Sequence, residues 1–112
     1  MVENIGAGIE RYMSLLTARQ RVVAGNIANA DTPGYKTKDI NFRSALAGQM
    51  SNSEPSIVEV RGLKTKNDGN NVSIDREARL LAENALRFNI ATNLARGELR
   101  LVKNAIEEGK SS

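Results

Sequence analysis

Two short runs hold most of the residues whose types and spacing suggest chemistry. Asp31-Thr32-Pro33-Gly34 begins like the Asp-Thr-Gly of an aspartic protease, but Pro33 intervenes and no second copy supplies the paired carboxylate. Asp68-Gly69-Asn70 is rich in oxygen donors, yet it lacks the alternate carboxylates that precede the glycine of an EF-hand calcium loop. Asn71-Val72-Ser73 fits a glycosylation sequon and carries no catalytic chemistry. A glycine-rich phosphate loop is missing. Histidine and cysteine are absent altogether, which excludes imidazole and thiol nucleophiles, Cys/His zinc sites, disulfides and haem attachment. Carboxylate or lysine catalysis would still need a pocket. A chain of 112 residues with 4% aromatics is poorly equipped to build one. The expectation is a protein with no catalytic residue, cofactor, metal or small-molecule substrate.

Charge narrows the partners. Sixteen basic and thirteen acidic residues leave a net charge of +3. The two signs are interspersed, and the densest basic stretch, Tyr35-Lys36-Thr37-Lys38, is short. Nucleic-acid binding, which asks for a basic patch or stripe, is therefore not expected. No run approaches the ~18 apolar residues of a membrane span, so direct membrane insertion is not expected either. Met1-Val2-Glu3-Asn4-Ile5 has neither a basic start nor an apolar block, so any route out of the cytoplasm would be one without a cleaved signal peptide.

With chemistry set aside, the informative signal is periodicity. Apolar side chains at Ile5, Ile9, Tyr12, Met13, Leu16, Val23 and Ile27 recur at helical spacing and predict an N-terminal helix ending near Ala30. Pro33 pushes Thr32 out of helical geometry, and Pro33-Gly34 suits the central positions of a type II turn. From 36 to 71 the pattern dissolves. Asp39–Leu46 offers one short helical turn, broken by Gly48, Ser51-Asn52-Ser53 and Pro55, and Ser56–Arg61 offers a short strand. This stretch reads as a flexible connecting segment within a single domain over 1–112.

The C-terminal third repeats by threes and fours through Ala78, Leu81, Ala85, Phe88, Thr92, Ala95, Leu99, Val102 and Ile106. That spacing predicts a coiled-coil seam on a helix of about 33 residues, capped by Ser73 or Asp75. The expected intrachain seam joins Leu16, Val23 and Ile27 to Leu81, Phe88, Leu99, Val102 and Ile106. A second row, Leu80, Leu86, Ile90, Leu94 and Leu101, lies off that seam. One antiparallel partner helix covers one stripe, so the second row is the candidate subunit interface. The fold class expected is mainly α: long N- and C-terminal helices paired as an antiparallel coiled-coil-like hairpin. The middle carries at most a short helix and a short β element.

One decapeptide exceeds what an ordinary helix stop requires. Asn26-Ile27-Ala28-Asn29-Ala30-Asp31-Thr32-Pro33-Gly34-Tyr35 resembles the N-terminal signature of flagellar rod, hook and hook-associated axial proteins. Asp31–Tyr35 followed by Lys38-Asp39-Ile40-Asn41-Phe42 is similar to the proximal rod members. So is the run from Asp68 through Glu77, continued by Asn84-Ala85-Leu86-Arg87-Phe88. Phe88 stands where tyrosine is common in that group.

The resemblance implies a structural subunit of the proximal rod of the bacterial flagellar basal body. Such subunits pack helically into a drive shaft that crosses the periplasmic space, transmits torque and forms part of the export channel. Implied partners are other rod proteins, the rod-base adaptor protein, further copies of the chain and the flagellar type III export apparatus. Phe42 and Leu46 are similar to the Phe-x-x-x-apolar element read at the export gate, and equally to a plain amphipathic turn packing on the first helix. The alternative reading is a cytosolic coiled-coil chaperone or adaptor for flagellar or other secreted subunits.

Overall fold

The computed structural model describes residues 2–47 and 55–111. Its elements in chain order are α1 (Val2–Ala28), β1 (Lys38–Ile40), α2 (Phe42–Ala47), β2 (Ile57–Glu59) and α3 (Ile74–Ser111). The chain is mainly helical, with the two long helices packed against each other and the short elements gathered at one end. Helix α1 stops two residues before the expected Ala30, where the Asn29 side chain competes for the last carbonyls: its Nδ2 donates to Gly25 O (2.8 Å). The expected type II turn follows, with Gly34 at φ +76° and Tyr35 N–H donating to Thr32 O (3.2 Å). Helix α3 opens on Ser73, whose hydroxyl accepts from Arg76 N–H (3.2 Å), while Asp75 and Glu77 set negative charge in the first turn. At 38 residues, five more than expected, it spans about 57 Å.

Helix pairing is antiparallel, since Asn26 meets Glu77, Leu16 meets Asn84 and Gly6 meets Glu98. Because α1 has only 27 residues, the last turns of α3 run past its start. The molecule is correspondingly long, 72 × 26 × 18 Å. Among the described residues its apolar core is thin and consists of Leu15, Leu16, Val23, Ile40, Val72 and Ala91.

Among the described residues, the segment 36–71 carries the short helix and the short β element expected of it. Strands β1 and β2 pair antiparallel, Lys38 opposite Glu59 and Ile40 opposite Ile57. Val60 N–H extends the ladder to Thr37 O (2.9 Å) and Asn41 N–H extends it to Ser56 O (3.2 Å). The helical turn expected over Asp39–Leu46 is divided, its first residues going to β1 and the remainder to α2. Phe42 stands edge-on to Tyr12 of α1, with ring centroids 5.8 Å apart, and lies beneath the Arg19 guanidinium. The expected break at Gly48 and Ser51-Asn52-Ser53 lies outside the described residues.

Candidate functional site

At the end where α1 stops and α3 begins, five elements of chain converge on a buried polar joint. Asn26 is fully buried on the last turns of α1, and its amide makes every hydrogen bond available to it. Nδ2 donates to Lys38 O (2.7 Å) and to Glu77 Oε2 (3.2 Å), while Oδ1 accepts from Lys38 N–H (3.0 Å) and from the Tyr35 hydroxyl (3.1 Å). One side chain thus fixes α1 to β1, to the turn and to α3. Glu77 is also fully buried, and its other oxygen accepts from Arg76 Nη1 (2.6 Å). Arg76 reaches on to Asp39 Oδ2 (3.4 Å), and Asp39 is gripped by Arg19 through Nε (3.2 Å) and Nη2 (3.1 Å). The order Arg19, Asp39, Arg76, Glu77 alternates in sign across α1, β1 and α3, so each half-buried or buried charge faces an opposite one.

Two more asparagines complete the joint. Asn70 is buried in the turn before α3, and its Nδ2 donates to Asn29 O (2.9 Å) and Thr32 O (2.8 Å), capping carbonyls freed where α1 ends. Asn71 Oδ1 accepts from the backbone N–H of Thr37 (2.6 Å) and from its hydroxyl (2.8 Å). Gly34 and Gly69 lie back to back. Gly34 N–H donates to Asp68 O (2.9 Å), and a Cβ on Gly69, whose φ is +86°, would stand 3.3 Å from Gly34 Cα. Glycine here answers both to backbone angle and to space. Asparagines 26, 29, 70 and 71 therefore tie together the two runs that the sequence singles out.

The contact face of α3 is shifted from the expected seam at alternate positions. Glu77, Leu81, Asn84, Phe88, Ala91, Ala95 and Glu98 face α1, so Leu81, Phe88 and Ala95 are shared with the expected row, while Ala78 and Ala85 are exposed. Periodicity counted from aliphatics misses this. Glu77 and Asn84 occupy buried positions by bonding α1, Asn84 Nδ2 donating to Leu16 O (2.9 Å) and Gln20 Oε1 (3.0 Å). Ala91, 1% exposed, lets the helices approach closely. On α1, Leu16 and Val23 are buried and Ile27 is half-buried. Leu99, Val102 and Ile106 are not in the intrachain seam. They are 70, 36 and 54% exposed: Leu99 turns outward beside Glu98, which takes the place facing Gly6, and Ile106 lies beyond the start of α1.

Leu86, Ile90, Leu94 and Leu101 of the second row are all more than half exposed, whereas Leu80 is half-buried. Across the exposed side, Arg87 donates to Glu83 (2.8 Å) and to the Tyr12 hydroxyl (3.3 Å), the latter bond chiefly pushing its already high pKa further up. Among the described residues no acidic, histidine or cysteine cluster has the makings of a metal site, and no helix is long and apolar enough to cross a membrane. Phe42 and Leu46 are half-buried on the α1 side of the hairpin.

This is the architecture of a structural scaffold: two long helices locked at one end by polar groups and apolar along an outward face. A family model described as flagella basal body rod protein matches residues 13–36, which run from α1 through the Asn26–Tyr35 decapeptide. The flagellar basal body rod protein FlgB of Escherichia coli K12 is 28% identical, with 97% of this chain and 99% of that protein aligned. The Bacillus subtilis protein of the same name is 29% identical over 91% and 92%. The one from Borrelia hermsii is 30% identical over 87% and 91%. The chain belongs to the flagellar basal body rod protein FlgB family.

Proposed function

We propose that the chain is a structural subunit of the proximal rod of the bacterial flagellar basal body. In this reading it packs helically beside other rod proteins and further copies of itself, forming the drive shaft that transmits torque and encloses part of the export channel. The observation that carries the reading is the exposed row Leu86, Ile90, Leu94 and Leu101, which runs along α3 uncovered by any described residue. Burying such a row on neighbouring subunits stabilises an assembly by roughly 1.5–3 kcal/mol for each large side chain. The thin intrachain core fits the same role, because a chain that gains much of its burial from neighbours is easily kept unfolded during export. Delivery would run through the type III export apparatus to the periplasmic space without a cleaved signal peptide. Phe42 and Leu46 would be read at the export gate in the unfolded chain and pack against α1 afterwards. At the base, the rod-base adaptor protein is the further partner.

Leu94→Asp tests the reading. Leu94 is 58% exposed, so the variant should keep its helicity and its unfolding midpoint within about 0.5 kcal/mol of wild type. Cells carrying it should make the protein, fail to swim and lose it from sedimented basal bodies. Normal swimming would remove the row from the assembly surface. A wild-type chain that stays in the cytosolic fraction of motile cells would replace the rod subunit by an adaptor.

A further inference from the structure

Four residues of the α3 contact face, Glu77, Asn84, Ala91 and Glu98, stand seven apart, so they form one line along the seam with α1. Each meets a different surface. Glu77 lies fully buried against the Asn26 amide nitrogen, which donates to its Oε2 (3.2 Å). Asn84 lies against two oxygens, Leu16 O (2.9 Å) and Gln20 Oε1 (3.0 Å), and donates to both. Ala91, 1% exposed, fills a space that holds a methyl group. Glu98 fills the notch at Gly6, where an added Cβ would stand 2.9 Å from its Oε1. Along α1 the line thus meets a donor, a pair of acceptors, a methyl-sized space and a notch.

Two of these side chains do little for stability. Asn84 is 4% exposed, and its Oδ1 has no hydrogen-bond partner. Glu98 is half-buried and forms no ion pair among the described residues. A leucine at either position would hold the helices together at least as well. What the polar groups do supply is discrimination between registers. Sliding α3 by one heptad moves it about 10 Å along α1. In one direction Glu77 comes to face Leu16 O and Gln20 Oε1, so that a carboxylate meets two oxygens, and Asn84 is forced into the space of Ala91. In the other direction Glu98 enters that space, a buried carboxylate in place of a methyl group. An aliphatic line would allow either slip, because its heptads are interchangeable. The chain from 29 to 73 is long enough that the covalent connection does not itself choose a register.

We propose that Glu77, Asn84 and Glu98 form a register key, which selects one heptad alignment of the hairpin over its neighbours. Asn84 and Glu98 serve pairing rather than stability. The alignment fixes how far α3 runs past the start of α1, and with it the height of Leu86, Ile90, Leu94 and Leu101 along the hairpin. The key concerns contacts within one chain and is independent of the rod reading.

The test moves the key. Asn84→Glu, Ala91→Asn and Glu98→Ala together reproduce the line one heptad later, so the new carboxylate meets Asn26 only after α3 slides by seven residues. Because the chain has no cysteine, Ala24→Cys and Arg100→Cys, both at exposed positions, take nitroxide labels in the full chain. With Glu98 opposite Gly6, these positions lie roughly 30 Å apart along the helix axes. Double electron–electron resonance should give a single distance for the native sequence and one shorter by about 10 Å for the shifted-key variant, with circular dichroism unchanged. An unchanged distance would overturn the proposal, since the register would then be set elsewhere. Loss of helicity would overturn it too, because the line would then be holding the fold and not choosing its alignment. A second measurement needs no label: Asn84→Leu with Glu98→Leu should unfold in urea at or above the wild-type midpoint. A lower midpoint would mean that these side chains serve stability and would remove them from the key.

Discussion

Replacing Asn26 by alanine should damage this fold more than any exposed substitution. The amide is fully buried and makes four hydrogen bonds, to Lys38 N–H, Lys38 O, the Tyr35 hydroxyl and Glu77 Oε2. The three neutral bonds contribute about 1 kcal/mol each, and the bond to the buried carboxylate about 1.5–3 kcal/mol. Lys38 lies near solvent, so water recovers part of the loss at its backbone groups. The net expectation is a destabilisation of roughly 3–5 kcal/mol, a large share of the ~5–15 kcal/mol of an ordinary domain. Asn26→Asp keeps both acceptor roles but removes both donors and sets a second carboxylate 3.2 Å from Glu77 Oε2, so it should cost at least as much. Equilibrium urea unfolding followed by circular dichroism is the assay, with exposed Asn93→Ala as a control expected within about 0.5 kcal/mol of wild type. If Asn26→Ala unfolds within 1 kcal/mol of wild type on the same scale, the polar joint does not hold the helix ends together and the reasoning fails.

Further substitutions separate the corrected seam from the expected one. Leu16→Ala, at a side chain with no exposure, should cost about 2–5 kcal/mol in the same assay, whereas Leu99→Ala, 70% exposed, should cost less than about 0.5 kcal/mol. Equal losses at the two positions would restore Leu99 to the intrachain seam. Gly69→Ala should lower the thermal midpoint by an amount corresponding to about 1–3 kcal/mol, because φ of +86° disfavours a Cβ and Gly34 Cα stands 3.3 Å away. An unchanged midpoint would mean that the paired turns relax freely.

How α1 and α3 came to be legible from residue order alone is a matter of local rules. Helical period, the Pro33-Gly34 turn and the Ser73 cap depend on neighbours within a few positions, and each is found where those rules place it. The absence of histidine and cysteine likewise removes whole classes of chemistry without reference to shape. Tertiary structure decided which face of α3 meets α1. A count of aliphatic residues put Ala78, Ala85 and Leu99 in the seam, but Glu77 and Asn84 take the buried positions beside them because Asn26 donates to the Glu77 carboxylate and Leu16 O and Gln20 accept from the Asn84 amide nitrogen. Burial of a polar side chain depends on partners 51 to 68 residues away, and periodicity carries no information about them. The same holds for the connecting segment. Asn70 and Asn71 look like turn residues in isolation, and they become the anchors of Asn29, Thr32 and Thr37 only when α1 and α3 bring the two runs together. Face and helix length settled the rest: Glu98 takes the place opposite Gly6 and leaves Leu99 turned outward, and with 27 residues against 38, α1 does not reach Ile106.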